Sequence, residues 1–197
     1  MNFPAWDTDL LLFLNGMHSR FFDVVMWHAT AAATWTPLFL LILFFVYRKL
    51  GWRNLLLVLA GFALCVLLAD RISSGFVKPL FCRLRPSHAL GEAVHVVREY
   101  RGGRYGFVSS HAANWFAIAV FALHVVRSKP FTIFILLCAA FVAYTRIYLG
   151  VHYPLDILCG GLLGAAIGWV VALLYRLATA CLSKRYPKVK PLSPPKA

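Results

Sequence analysis

The sequence predicts an all-α integral membrane protein: a bundle of about five transmembrane helices, with a sixth as the alternative, plus an amphipathic helix at the N-terminus. Three observations predict it. Hydrophobic residues make up 61% of the 197 and mean hydropathy is +0.73. A soluble domain is closer to about half apolar, so the excess must face something other than water. Several stretches stay apolar over a helix's length, and the Lys and Arg residues gather between them. The length fits one domain, taken as 1–197.

The apolar stretches run over Val24–Tyr47, Leu55–Asp70, Ala112–Val126, Phe131–Leu149 and Ile157–Leu177. At 1.5 Å per residue the first is about 36 Å long, enough for roughly 30 Å of hydrocarbon. The second and third are shorter and are expected to borrow a turn from their polar flanks, where Lys and Arg snorkel. Upstream, Trp6, Leu10, Phe13, Leu14 and Met17 form a helical stripe interrupted by Asp7, Asp9 and Asn15. That pattern predicts an interfacial helix within residues 1–22. With no basic segment at the start and only Leu10–Leu14 as an apolar run, no cleaved signal peptide is expected. Gly160, Gly164 and Gly168 recur every four residues, a face on which a neighbouring helix can approach closely.

The formal net charge is +13, from 20 Lys and Arg against 7 Asp and Glu. No nucleic-acid-binding signature accompanies it, so nucleic acid is not an expected partner. Cations between apolar runs suit anionic membrane lipids instead. Arg48, Lys49, Arg53, Arg127, Lys129 and the basic tail 183–197 fall on one side, which the positive-inside rule makes cytoplasmic. The loop 73–110 falls outside, yet carries Lys78, Arg83, Arg85, Arg98, Arg101 and Arg104. Binding an anion is one reason to keep them there. Cys65, Cys82, Cys138, Cys159 and Cys181 show no C-x-x-C pair, so neither zinc nor redox chemistry is indicated.

Three polar patches fall on the same outer face: Lys78 to Pro86, Val108 to His111, and Arg146 to Asp156. Lys78, Arg85 and Arg146 supply cations for a phosphate and its transition state. Ser110 reads as an N-cap and Pro154 as a first helical residue, and two helix starts favour an anion. His152 precedes Asp156 by four residues, so the carboxylate can accept the ring Nδ1–H and leave Nε2 as a nucleophile. His111 is placed to protonate a leaving oxygen and then activate water. His18, His28, His88, His95 and His124 read as structural or solvated, and Asp70 with Arg71 as a helix-end pair.

The Lys-x6-Arg-Pro, Ser-x-His and Arg-x5-His-x3-Asp spacings resemble the type 2 phosphatidic acid phosphatase superfamily. The resemblance implies a helical bundle and metal-independent hydrolysis of a lipid phosphate or pyrophosphate, with no cofactor. It assigns phosphate binding to Lys78, Arg85, Arg146, Ser109 and the Ser110 backbone. It makes His152 the phosphohistidine, Asp156 its orienting partner and His111 the acid. Val108 and Ser110 stand where the family usually has Pro and Gly, and Thr145 where it has Ser. The site is expected at the outer face of a bacterial inner membrane. Undecaprenyl pyrophosphate, phosphatidylglycerophosphate and lipid A are the substrates the resemblance suggests. A phosphotransferase, or a non-catalytic lipid-binding or transport protein, would use the same scaffold. The oligomeric state stays open.

Overall fold

The structure, a computed structural model of the chain, describes residues 3–191. It is helical, with one isolated bridge between Leu84 and Tyr105 as the only extended pairing among the described residues. Helix α1 covers Ala5–Gly16 and α2 Arg20–Thr30. The spans follow as α3 Thr36–Leu50, α4 Trp52–Asp70, α7 Ser110–Val126, α8 Lys129–Tyr148 and α9 Pro154–Arg185. The short helices α5 Lys78–Phe81 and α6 Pro86–Ala89 flank the start of the loop that leads to α7. Ala32–Leu50, Trp52–Phe81, Lys129–Tyr148 and Pro154–Arg185 are long and apolar enough to cross a bilayer, and α7 is a shorter apolar helix. Leu40, Phe44, Leu67, Ile133, Leu137, Leu162, Trp169 and Leu177 are exposed on the outside of the bundle. A belt of exposed apolar side chains of this kind is covered by lipid.

Helix α7 sits centrally, packed against α9, α8 and α4. Its small residues Ala113 and Ala117 meet Gly164 and Gly168 of α9 so closely that a Cβ on either glycine would run into the facing carbonyl. The predicted glycine face is therefore the α7–α9 contact.

Several boundaries differ from expectation. The stretch Val24–Tyr47 is not one helix: the backbone turns extended at Ala31, and a 3-10 turn Ala32–Trp35 precedes α3. Pro37 cannot carry a helix through it. The last α2 carbonyls bond instead to Thr34 Oγ1, 2.6 Å from His28 O, and Trp35 Nε1, 2.8 Å from Ala29 O. The loop expected over 73–110 starts later, because α4 continues through a π-helical turn, Arg71–Val77, into α5. The tail is partly docked: Val189 is buried, and the Asn54 side chain exchanges two hydrogen bonds with the Lys190 backbone at 2.8 and 3.0 Å. Residues 192–197 of the expected tail lie outside the described residues, as do residues 1 and 2 of the expected N-terminal helix.

The N-terminal segment holds the most informative departure. Helix α1 falls within the expected 1–22 and ends at Gly16, with α2 starting at Arg20. Its apolar stripe, Trp6, Leu10, Phe13 and Met17, faces outward, while Asp7 and Asn15 are buried. Asn15 Nδ2 donates to the carbonyls of Tyr148 and Ile147 at 2.8 and 3.3 Å, satisfying the open C-terminal end of α8.

Candidate active site

The site gathers where three helix ends meet the loop between α5 and α7. Ser109 N donates to Asp156 O at 3.0 Å, joining the start of α7 to the first turn of α9. Ser109, not the expected Ser110, is the N-cap of α7, and its hydroxyl accepts from Ala112 N. Pro154 opens α9 as expected. Asp156 Oδ2 accepts from the backbone N–H of Tyr153 at 3.1 Å.

Ser110 begins α7 with its side chain turned toward α4 and α5. Its Oγ lies 2.8 Å from Lys78 Nζ and 2.9 Å from both Ser73 Oγ and Ser74 Oγ. The two serines are consecutive, yet both reach one atom. They lie in the π-helical turn, an irregularity that recurs at functional sites.

Arg85 comes from the loop. Its Nε donates to Tyr105 O at 3.2 Å, and Gly102, at φ +65°, brings its backbone against the guanidinium. A side chain at Gly102 would occupy that space. Arg146, 1% exposed at the end of α8, donates from Nη1 to Thr30 Oγ1 at 2.8 Å and lies 5.6 Å from the Tyr100 ring centroid. Arg85 Nη1 and Arg146 Nε are buried without a hydrogen-bond partner among the described residues. Buried donors are nearly always paired, so two open guanidinium donors in one cluster mark a place that suits an anion.

His152 is 1% exposed, with Nδ1 3.3 Å from Asp156 Oδ2. Gly106 packs beside both: a methyl there would lie 2.9 Å from Asp156 Oδ2, 3.3 Å from Arg85 Cγ and 3.6 Å from His152 Nδ1. Imidazole, carboxylate and guanidinium stem thus converge on one glycine. Burial, reinforced by Arg85, Arg146, Lys78 and Arg83, holds His152 well below the usual histidine pKa, so the ring is neutral. Burial and the neighbouring Arg146 likewise lower Arg85. His111 lies within electrostatic reach of Arg146, His152, Arg85 and Lys78. The structure therefore brings Lys78, Arg85, Ser109, Ser110, His111, Arg146, His152 and Asp156 into one cluster. It can surround a polyanion with three cations and present a neutral imidazole to it.

Some readings need correction. Asp70 and Arg71 form no ion pair. His95, read as structural or solvated, makes structural contacts: Nε2 lies 2.9 Å from Asp23 Oδ1, and its ring stacks on His18 at 3.8 Å. Arg83 was expected only as one of the loop cations that could bind an anion, and Asp7 only as a break in a stripe. Arg83 instead bridges Asp156 Oδ1, at 2.8 Å, and Asp7 Oδ2, at 2.6 Å. The available signal was an acidic residue inside an apolar helix, which is a functional suspect by default.

Residues 54–180 match the model of the PAP2 superfamily. A lipid A 4'-phosphatase of Bacteroides thetaiotaomicron is 39% identical over 184 residues, covering 92% of this chain and 82% of that protein. A lipid A 4'-phosphatase of Porphyromonas gingivalis is 37% identical over 174 residues, 87% of this chain and 74% of the relative. The crystal structure of Aquifex aeolicus LpxE superposes with a TM-score of 0.65 at 26% identity, covering 85% of this chain and 95% of that one. The chain is a membrane protein that belongs to the PAP2 superfamily.

Proposed function

We propose that this chain is a membrane lipid phosphatase that removes a phosphate from a glycolipid of the lipid A type, through a phosphohistidine on His152. The observation that carries the reading is a neutral His152, with Nδ1 on Asp156, set among Lys78, Arg85 and Arg146 beside two open guanidinium donors. The relatives named lipid A 4'-phosphatase, matched over most of this chain, support the substrate class.

The phosphate enters the cationic cluster and takes up the free donors of Arg85 and Arg146. Asp156 accepts the Nδ1–H, so the lone pair is on Nε2. Nε2 attacks phosphorus, the bond from phosphorus to the lipid oxygen breaks, and His111 protonates that oxygen. Protonated His111 is tolerated beside three cations because the bound phosphate supplies countercharge. Neutral His111 then takes a proton from water, and the hydroxide attacks phosphorus. Inorganic phosphate leaves and His152 is restored. The cations stabilise the charge spread over the equatorial oxygens in both steps.

The site opens on the outer face of the inner membrane in this reading, which the basic inner connections and tail support. The test is phosphate release by purified protein from lipid A, undecaprenyl pyrophosphate and phosphatidylglycerophosphate, with His152→Ala alongside. Release from lipid A that depends on His152 is expected. Equal release without His152 ends the reading.

A further inference from the structure

The nucleophile's orienting carboxylate does not stand alone. Asp156 Oδ2 faces His152 Nδ1, while Asp156 Oδ1 accepts from Arg83 Nη1 at 2.8 Å. Arg83 Nη2 donates to Asp7 Oδ2, and Asp7 Oδ1 accepts the backbone N–H of Leu155 at 2.8 Å. Asp7 and Asp156 are fully buried. The Arg83 guanidinium lies between the rings of Phe3 and Tyr153, 3.8 Å from each centroid. Asp7 comes from α1, outside the stretch 54–180 that matches the family model.

Resting on the phosphohistidine reading, we propose that Arg83 and Asp7 are positioning residues that reach His152 through Asp156. Two carboxylates share one guanidinium, each on its own nitrogen, so the plane of Arg83 is fixed from both ends and the aromatic rings fix it from above and below. Arg83 gives the buried Asp156 its countercharge. Without it a buried carboxylate takes up a proton, and a protonated carboxyl no longer accepts the Nδ1–H. Asp7 holds Arg83 and also the second residue of α9, so helix α1 acts as a clamp on the catalytic turn. That is why its polar side faces inward. Neither residue is placed against the phosphate, so both should act on turnover rather than on substrate affinity.

The test uses the purified full-length chain with lipid A, dioleoyl phosphatidate and farnesyl pyrophosphate as probes. Arg83→Met, Arg83→Lys, Asp7→Asn, His152→Ala and wild type are compared. Expected for Arg83→Met is a kcat at least ~tenfold lower with KM within about twofold, the pattern of a transition-state effect. The acid limb of kcat should move to higher pH, because Asp156 then protonates more easily. Arg83→Lys keeps the charge and should recover part of kcat and most of the limb's position. Asp7→Asn should lower kcat at unchanged KM, and it carries the test alone if Arg83→Met does not fold. A merely structural pair would lower the unfolding temperature while leaving kcat per folded molecule and the pH profile as in wild type; that result overturns the proposal. If wild type releases no more phosphate than His152→Ala on any probe, the phosphohistidine reading fails first, and this proposal with it.

Discussion

Ser110 Oγ holds the Lys78 ammonium at 2.8 Å, and two further hydroxyls, Ser73 and Ser74, converge on the same oxygen. The family resemblance places glycine at 110, so here a side chain does what backbone alone could not. It fixes a flexible four-carbon stem at the edge of the cationic cluster. Ser110→Ala leaves Lys78 and two serines without their shared partner. The expected outcome is a KM for lipid phosphate raised about three- to tenfold, the scale of one lost hydrogen bond of roughly 1 kcal/mol, with a smaller change in kcat. An unchanged KM would mean Lys78 finds its place without Ser110.

The neutral state of His152 has a stability consequence. Its folded pKa lies well below 6.5, so between the two values the unfolded chain binds more protons. The contribution is complete above pH 6.5 and is lost as pH falls toward the folded pKa, at no more than about 1.4 kcal/mol per pH unit. His152→Asn does not titrate. Unfolding of both proteins in detergent, from pH 7.5 down to 5, should show wild type losing stability faster below pH 6.5. Parallel curves would place the ring in a more polar setting.

Arg85 Nη1 and Arg146 Nε, buried and unpartnered among the described residues, should acquire partners when an anion binds. Vanadate, a mimic of pentacoordinate phosphorus, is the probe. Arg85→Lys and Arg146→Lys keep the charge but lose the planar fork. Each should weaken vanadate about 10- to 100-fold, from a charge-assisted bond of roughly 1.5–3 kcal/mol. Measured inhibition constants that match wild type would remove these donors from the site.

In the proposed mechanism three cations perform the charge stabilisation that a metal supplies elsewhere, so excess chelator is expected to leave phosphate release within about twofold of its untreated rate. A rate that collapses and returns only with added Mg²⁺ would show that the cations are insufficient.

Most polar groups of the candidate site were legible because they sit at or beside helix ends, where hydropathy changes sharply; Arg85, in the loop, was legible only through its spacing from Lys78. Pro154 and Asp156 share the first turn of α9. His152, just before the extended N-cap Tyr153, reaches back to Asp156, so the four-residue spacing gave the right pair although His152 is outside the helix. Arg83 and Asp7 were not legible as a pair. They lie 76 positions apart, and nothing local to either says that a helix before the first span folds back onto the last. The same holds for α1: its stripe predicted an apolar side toward lipid, but not that Asp7 and Asn15 on the other side are buried in the protein. Segment one broke at Ala31 because side chains of Thr34 and Trp35 cap α2, a tertiary detail that hydropathy averages away.

The glycines of α9 separate packing from positioning. Gly160, Gly164 and Gly168 lie on one face about 12 Å long, and a methyl on each meets a different part of α7. At Gly168 it meets the Ala117 carbonyl and Val120, two turns away from the site. Gly168→Ala should therefore lower stability by roughly 1–3 kcal/mol, the usual cost of overpacking, while kcat per folded molecule is unchanged. At Gly160 the methyl meets the Ser109 carbonyl and amide, and that amide is the one bonded to Asp156 O. Pushing the start of α7 away from the first turn of α9 moves His111 relative to His152. A displacement of about 1 Å can cost on the order of 100-fold in rate, so Gly160→Ala should lose kcat at least ~tenfold beyond any loss of stability. Gly161 faces only the Phe116 ring edge, at 3.2 Å, and Gly161→Ala should be tolerated in both respects. Unfolding temperature and kcat per folded molecule, measured on all three variants, check the ordering. Equal losses of kcat at 160 and 168 would show that the α7–α9 contact moves as one rigid unit rather than locally at the site.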